Sequence, residues 1–248
     1  MNTMECLYKS RDSEIWVYAK PGVNVGTLKE KLTSPNLLMI SDLDRTDSPS
    51  NTPMSIYQAI KGVEGIDKNV LWGIIAIPCI ILKGEDFINR HREFLIKTFI
   101  RKPNVEKSLM GNYTLEYAIS RLYNGVLEFY SILPPTTRKI YVTGAVREVT
   151  EPFKLAAGFD EAYPEQINKV RTIELICNHY HDAIILYKDD DPKSIAILEL
   201  LRHMESRGKI QGFTSIFVAS SLKRMNPEFD FNIPRHYGGL VELLRDRK

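Results

Sequence analysis

The chain has 248 residues with 33 basic and 31 acidic side chains, and a net charge of +2 gives no argument for a nucleic-acid or anionic-membrane partner. This length suits one large domain or a core with a smaller companion, and 44% hydrophobic and 26% charged residues are ordinary for a folded protein. Three widely spaced cysteines and the lack of a signal-peptide pattern argue against a disulfide framework and lead us to expect a cytoplasmic protein.

The first predicted elements are a short strand over residues 14–19, a turn at Pro21 and Gly22, and a short helix over residues 26–32. They precede the first polar motif of the chain. We therefore expect them to form an extra edge element without a catalytic role.

The next predicted element is a buried strand that ends in two carboxylates. Residues 37–41 are largely apolar, and Asp42, Asp44 and Thr46 follow at alternate positions. Open α/β sheets hold their chemistry just past the carboxyl ends of such strands, where one carboxylate could attack while the other moves a proton. Two aspartates at this spacing also occur in solvated turns and helix N-caps, so the segment does not decide the matter alone.

Residues 47–138 are too long for a loop. Apolar residues at three- and four-residue spacing predict helices over residues 55–63, 87–100 and 115–133. The most apolar run, residues 70–82, is shorter than the about 20 residues that span a bilayer and contains a proline, so we expect a buried segment there.

Two later segments repeat the pattern of a strand that ends in polar residues. Residues 139–142 predict a strand that ends at Thr143 and Gly144, and a helix-like stretch with Lys169 follows. Lys154 lies in the same interval and competes with Lys169 for any role that needs a single lysine.

The last of these strands leads into a cluster of acids. Residues 182–187 predict a strand, followed by Lys188, Asp189 and Asp190, with a third acid next. A helix over residues 195–206 and a strand that begins at residue 212 continue the alternation that is typical of parallel α/β sheets.

This ordered set of motifs resembles the haloacid dehalogenase-like superfamily of phosphohydrolases, over residues 37–48 and 139–220. The resemblance implies an α/β protein with a Rossmann-like parallel sheet and helices on both faces, formed by residues 1–46 and 139–248. It implies that residues 47–138 form a mostly helical cap over the active site.

The resemblance also implies a mechanism. Asp42 would be the nucleophile and form an aspartyl-phosphate, and Asp44 would act as general acid and then as general base. Thr143, Gly144 and Lys169 would bind the phosphate of the substrate.

A metal site is implied at the same place. Asp42, the backbone carbonyl of Asp44, and Asp189 or Asp190 would hold Mg²⁺, which prefers oxygen ligands. The motifs leave open which of the last two aspartates is the ligand. The expected partner is a small phosphorylated substrate, without nucleic acid or membrane, and a homo-oligomer is left open.

Three residues depart from the pattern of the family. Many members have glycine at the position of Arg45 and an apolar residue at that of Asp47, and Lys188 could weaken the metal site by like-charge repulsion. Arg45 could contact the substrate, the cap or solvent. The departures motivate a second hypothesis, a weakly active or silent domain that serves as a binding or scaffolding module. A third hypothesis keeps the protein an enzyme but makes it a phosphotransferase, with an acceptor other than water.

A second group of metal-ligand residues has a simpler explanation. Cys177, His179 and His181 fit no metal motif by their spacing, and both histidines fall at a predicted helix end, where polar side chains commonly cap carbonyls. We therefore expect no metal site there.

Overall fold

The computed structural model describes residues 4–10, 15–49, 100–166 and 168–245. Within these ranges, eight strands form one sheet in the order β1-β2-β8-β7-β6-β3-β4-β5. The strands are β1 (Glu5–Lys9), β2 (Trp16–Ala19), β3 (Leu37–Ser41), β4 (Arg138–Val142), β5 (Glu161–Tyr163), β6 (Ile184–Asp189), β7 (Gly212–Ala219) and β8 (Phe231–Pro234). The six strands from β8 to β5 run parallel, and the β1–β2 hairpin joins β8 in antiparallel register.

Helices cover both faces of the sheet. They are α1 (Val25–Leu32), α2 (Pro103–Asn112), α3 (Leu115–Arg121), α4 (Val126–Ser131), α5 (Arg147–Ala157), α6 (Lys169–His179), α7 (Ile195–Ser206) and α8 (Gly238–Arg245). Buried residues of α6 and α7 pack on one face, and those of the other helices pack on the opposite face. The protein is therefore an α/β protein with a mostly parallel sheet, as the sequence predicted.

The central strand β3 shows why the strands of this sheet are continuous apolar runs in the sequence. All five of its residues are buried, with Leu37 and Met39 on one face and Leu38 and Ile40 on the other. Strands covered on both faces need apolar residues at every position.

The strand order creates a crevice at the carboxyl end of β3. The chain leaves β3 for β4 and β5 on one side and then returns to place β6, β7 and β8 on the other side. Ligands of open α/β sheets bind where the winding direction switches in this way. The motif residues that follow β3, β4 and β6 therefore share one edge of the sheet.

Two predicted elements differ in detail. The predicted helix over residues 115–133 is divided into α3 and α4, because Leu122 adopts an extended backbone with a ψ of 142° and Gly125 has a left-handed φ of 82°. The strand predicted from residue 182 begins at Ile184, since Asp182 has a left-handed φ of 66° in the preceding turn.

Part of the predicted cap can be described. Helices α2, α3 and α4 lie within residues 47–138 and contribute to the same hydrophobic cluster as α5 and α8. The helix predicted over residues 55–63, the apolar run 70–82 and, apart from Ile100, the helix predicted over residues 87–100 lie outside the described residues. The division into core and cap stays a prediction.

No helix in the described part of the chain is long and apolar enough to cross a membrane. The cytoplasmic location stays a prediction.

Candidate active site

The turn after β3 carries the first motif. Asp42 is 6% exposed, and its backbone N–H donates to the carbonyl of Lys188 at 3.0 Å, which ties the turn to β6. The N–H of Arg45 donates to the carbonyl of Ser48 at 2.7 Å and closes the turn, with Arg45 at a left-handed φ of 62°. Asp44 is partly exposed and close enough for its charge to act on Asp42.

Lys169 bridges two of the aspartates. It is the first residue of α6, whose N-cap Asn168 accepts a hydrogen bond from a backbone N–H of the first turn. Its Nζ lies 2.9 Å from Oδ1 of Asp42 and 3.3 Å from Oδ2 of Asp189. The competing Lys154 instead pairs with Glu151 of its own helix at 2.9 Å.

Asp189, the last residue of β6, is held by several donors. Ser194 Oγ donates to Oδ2 at 2.7 Å, Tyr187 Oη donates to the same oxygen, and the next two backbone N–H groups donate to Oδ1 at 2.8 and 3.0 Å. Burial favours the neutral form, but Lys169 and these hydrogen bonds outweigh it and hold the pKa of Asp189 below its usual value.

Asp42, Asp189 and Asp190 form an acidic cluster in which one carboxylate oxygen of each lies within 4.8 Å of the others. Burial raises the pKa of Asp42 to about 7; Lys169 opposes the shift, and the charges of Asp189 and Asp44 add to it. Burial and the charges of Asp42 and Asp189 raise the pKa of Asp190 to about 7 as well. Crowded carboxylates of this kind gain from a cation, and an all-oxygen donor set suits a hard divalent ion such as Mg²⁺.

Thr143 and Gly144 follow β4, which pairs in parallel with β3. Thr143 is fully buried, and its Oγ1 accepts a hydrogen bond from the N–H of Ala145 at 3.1 Å. The same hydroxyl retains its proton for donation to a ligand. These residues therefore lie at the same sheet edge as the acidic cluster.

Comparison with known proteins gives the fold. No protein-family model and no curated protein matches the sequence. Cytosolic 5′-nucleotidase IIIB, solved bound to cytidine, superposes with a TM-score of 0.58 at 11% identity over 92% of this chain and 93% of that chain. A HAD-family hydrolase from Salmonella enterica subsp. enterica serovar Typhi superposes with a TM-score of 0.56 at 14% identity over 88% and 74%.

The chain has the haloacid dehalogenase-like fold. This confirms the fold that the ordered motifs at the ends of β3, β4 and β6 predicted. At such low identity the likeness establishes the haloacid dehalogenase-like fold alone, and the chemistry must be argued from the side chains.

Two departures from the haloacid dehalogenase-like pattern prove to be partners. Lys188 and Asp47 are both fully buried, with Nζ 2.7 Å from Oδ1. Tyr130, Tyr141 and Tyr237 complete the buried network.

The three tyrosines satisfy the remaining polar atoms of the pair. Tyr141 Oη donates to Asp47 Oδ2 at 2.8 Å and Tyr237 Oη lies 3.1 Å from Oδ1, while Tyr130 Oη contacts Asp47 and accepts from Lys188 Nζ at 2.6 Å. The charge of Lys188 is therefore balanced by Asp47, whereas the sequence had left open that Lys188 could weaken the metal site by like-charge repulsion. The signal in the sequence that could have predicted this pair is that Asp47 and Lys188 carry opposite charges at two positions where both depart from the family pattern.

The Cys177, His179 and His181 group does not assemble in the described residues, among which the acidic cluster is the one group with metal-ligand geometry. Cys177 is buried, and burial raises the pKa of its thiol to about 12.

Proposed function

We propose that this protein is a Mg²⁺-dependent phosphohydrolase that cleaves a phosphate monoester through an aspartyl-phosphate on Asp42. The observation that carries the proposal is the position of Lys169, which contacts Asp42 and Asp189 at the switch point of the sheet. A lysine between two carboxylates can offset the negative charge that a bound phosphate adds. The nucleotidase with a similar fold acts on phosphate esters by its name, which agrees with this class of reaction.

In the first step, a carboxylate oxygen of Asp42 attacks phosphorus and the bond to the leaving oxygen breaks, while Asp44 donates a proton to that oxygen. In the second step, Asp44 takes a proton from water, which attacks phosphorus and releases Asp42. Lys169 stabilises the charge on the phosphoryl oxygens, and Thr143 with the neighbouring Gly144 N–H holds them in place.

The metal would be held by Asp42, the backbone carbonyl of Asp44, and Asp190 with Asp189. We assign Asp190 as the more available of the last two, because four hydrogen bonds and Lys169 already hold the oxygens of Asp189. Mg²⁺ bound there would neutralise charge on the phosphate.

A helical cap within residues 47–138 remains part of the proposal. It would exclude water and select the substrate.

The test is phosphate release from a generic aryl phosphate, with Mg²⁺ and with EDTA, by the wild type, Asp42→Asn and a control, Asp182→Asn. Asp182 is exposed and lies before β6, at the opposite edge of the sheet from the site. We expect release that requires both Mg²⁺ and Asp42, with Asp42→Asn folded by circular dichroism and Asp182→Asn as active as wild type. Full activity of Asp42→Asn would overturn the assignment.

The same assay addresses the rival hypotheses. Metal-dependent release would exclude a silent scaffolding domain. Product that forms only when an alcohol acceptor is added would instead indicate a phosphotransferase.

A further inference from the structure

Two arginines and a tyrosine lie beside the acidic cluster without belonging to it. Arg235 follows β8, and its Nη2 lies 3.7 Å from Oδ2 of Asp190. Arg45 is exposed in the turn after β3. Tyr123 precedes α4; burial raises the pKa of its hydroxyl to about 12, and the charges of Arg235, Asp190 and Arg45 all act on it. We call Arg45, Tyr123 and Arg235 the arginine subsite.

Backbone hydrogen bonds hold the three segments of the arginine subsite together. The N–H of Tyr123 donates to the carbonyl of Asp47 at 2.8 Å, and the N–H of Tyr237 donates to the carbonyl of Asn124 at 2.8 Å. Tyr237 Oη also donates to the carbonyl of Thr46 at 3.0 Å. The backbone segments from which the three side chains extend are therefore linked to one another.

Two donors of the arginine subsite are unsatisfied. Within the described part of the chain, Nε of Arg235 and Oη of Tyr123 are buried and have no hydrogen-bond partner. Buried polar groups without partners are rare in folded proteins, and a guanidinium N–H can only donate. A ligand that satisfies these atoms must bring acceptor oxygens, and two guanidinium groups favour an anion.

The strand order separates the arginine subsite from the proposed phosphate-binding residues. Thr143 follows β4 on one side of β3, whereas Arg235 follows β8 on the other side, beyond β6 and β7. Arg235 therefore flanks the reaction centre on the side opposite Thr143, and Arg45 lies between them in the turn after β3. An anion there would be a second charged group of the substrate, distinct from the phosphate that is cleaved.

We propose that Arg45, Arg235 and Tyr123 bind a second anionic group, a carboxylate or a phosphate, on the part of the substrate that leaves with the alcohol oxygen. The inference rests on the proposed function and names its substrate class: small phosphate monoesters with a second anion, such as phosphorylated hydroxy acids or bisphosphates.

The test is calorimetric binding, in the presence of Mg²⁺, of three phosphonates of matched length: an alkyl phosphonate, its carboxylate-bearing homologue and its bisphosphonate homologue. We compare the wild type with Arg45→Gln, Arg235→Gln and Tyr123→Phe. The control is Arg202→Gln, since Arg202 is exposed on α7 and pairs with Glu228 at 3.4 Å.

We expect the wild type to bind one of the doubly anionic homologues about tenfold or more tightly than the alkyl phosphonate, as charge-assisted hydrogen bonds predict. The ratio should fall toward one in both arginine variants and persist in Arg202→Gln. Tighter binding of the carboxylate-bearing homologue would identify the second group as a carboxylate, and tighter binding of the bisphosphonate would identify it as a phosphate. Equal binding of all three phosphonates, no binding, or a ratio that survives both arginine substitutions would overturn the inference.

The binding ratio does not depend on turnover, so the two proposals fail separately. A preserved ratio without phosphate release would overturn only the proposed function. Release of phosphate that requires Asp42, with no preference among the phosphonates, would overturn only the arginine subsite.

Discussion

Substitution of Lys188 by methionine is expected to lower the free energy of unfolding by about 3–5 kcal/mol. Lys188 and Asp47 are fully buried, with Nζ and Oδ1 2.7 Å apart. Methionine has a similar length and no charge, so the variant leaves the Asp47 carboxylate buried without a counter-ion. This is the most costly way to disturb such a pair, because the remaining charge loses its partner and stays out of water.

The magnitude follows from the geometry. Two unit charges 2.7 Å apart attract by about 6 kcal/mol at an effective dielectric constant of about 20. Part of that attraction offsets desolvation, since burial lowers the pKa of Lys188 while Asp47 opposes the shift. In the variant, Asp47 retains its tyrosine hydroxyl contacts, so the expected loss is smaller than the full attraction. A typical domain has only about 5–15 kcal/mol of stability in total.

Urea denaturation measures this loss, with two comparisons. Lys154→Met removes a pair with Glu151 whose charged atoms are 2.9 Å apart but which is partly open to solvent, and it should cost at most about 1 kcal/mol. The double variant Asp47→Asn with Lys188→Met removes both charges and should be more stable than Lys188→Met alone. A loss below about 1 kcal/mol for Lys188→Met, or a double variant no more stable than Lys188→Met alone, would refute the reasoning.

Three further predictions follow, one from backbone geometry and two from the pKa shifts. Gly125→Ala should lower the free energy of unfolding by more than about 1 kcal/mol, because φ is 82° and a Cβ would lie 2.9 Å from the backbone N of Gly238. Gly111→Ala, where a Cβ on α2 would meet open space, should instead raise the free energy of unfolding by up to about 1 kcal/mol. Urea denaturation of both variants measures these changes. Because the folded-state pKa values of Asp42 and Asp190 are raised to about 7, the folded protein binds more protons than the unfolded chain between about pH 4 and 7. Without metal, the stability that these two carboxyl groups contribute therefore falls as the pH rises through that window. Mg²⁺ must displace those protons, so its affinity by calorimetry should rise from about pH 6 to about pH 8, and a flat profile would contradict the assignment.

The sequence predicted the parts of the site that depend on local pattern. Apolar runs that end in polar residues marked β3, β4 and β6, and parallel strands bring their carboxyl ends to one edge. Asp42 and Asp189 could therefore be expected near one another. Lys169 could be selected over Lys154 by its place in the helix that leads to β6, and the structure puts Lys169 against Asp42.

Long-range contacts had no such local signal. Asp47 and Lys188 are 141 positions apart, and the tyrosines that surround them come from α4, β4 and the loop before α8. Period and composition say which face of a strand is buried, but they do not say which buried side chains of distant segments meet. Arg235 likewise has no local signal in the sequence, because its place beside Asp190 depends on the order of β6, β7 and β8.

The pairing of Asp47 with Lys188 also explains how this chain can differ from the family pattern at both positions and keep the fold. Either charge alone in this position would be buried without a partner and would destabilise the core. Together they are neutral, and their energetic effect approaches that of an apolar pair. The backbone of Lys188 also accepts the hydrogen bond from Asp42, so the pair fixes the turn that carries the proposed nucleophile to the strand that carries the acidic cluster. The two departures are therefore best understood as one change in the residues that support the site, with the proposed catalytic carboxylates left in place.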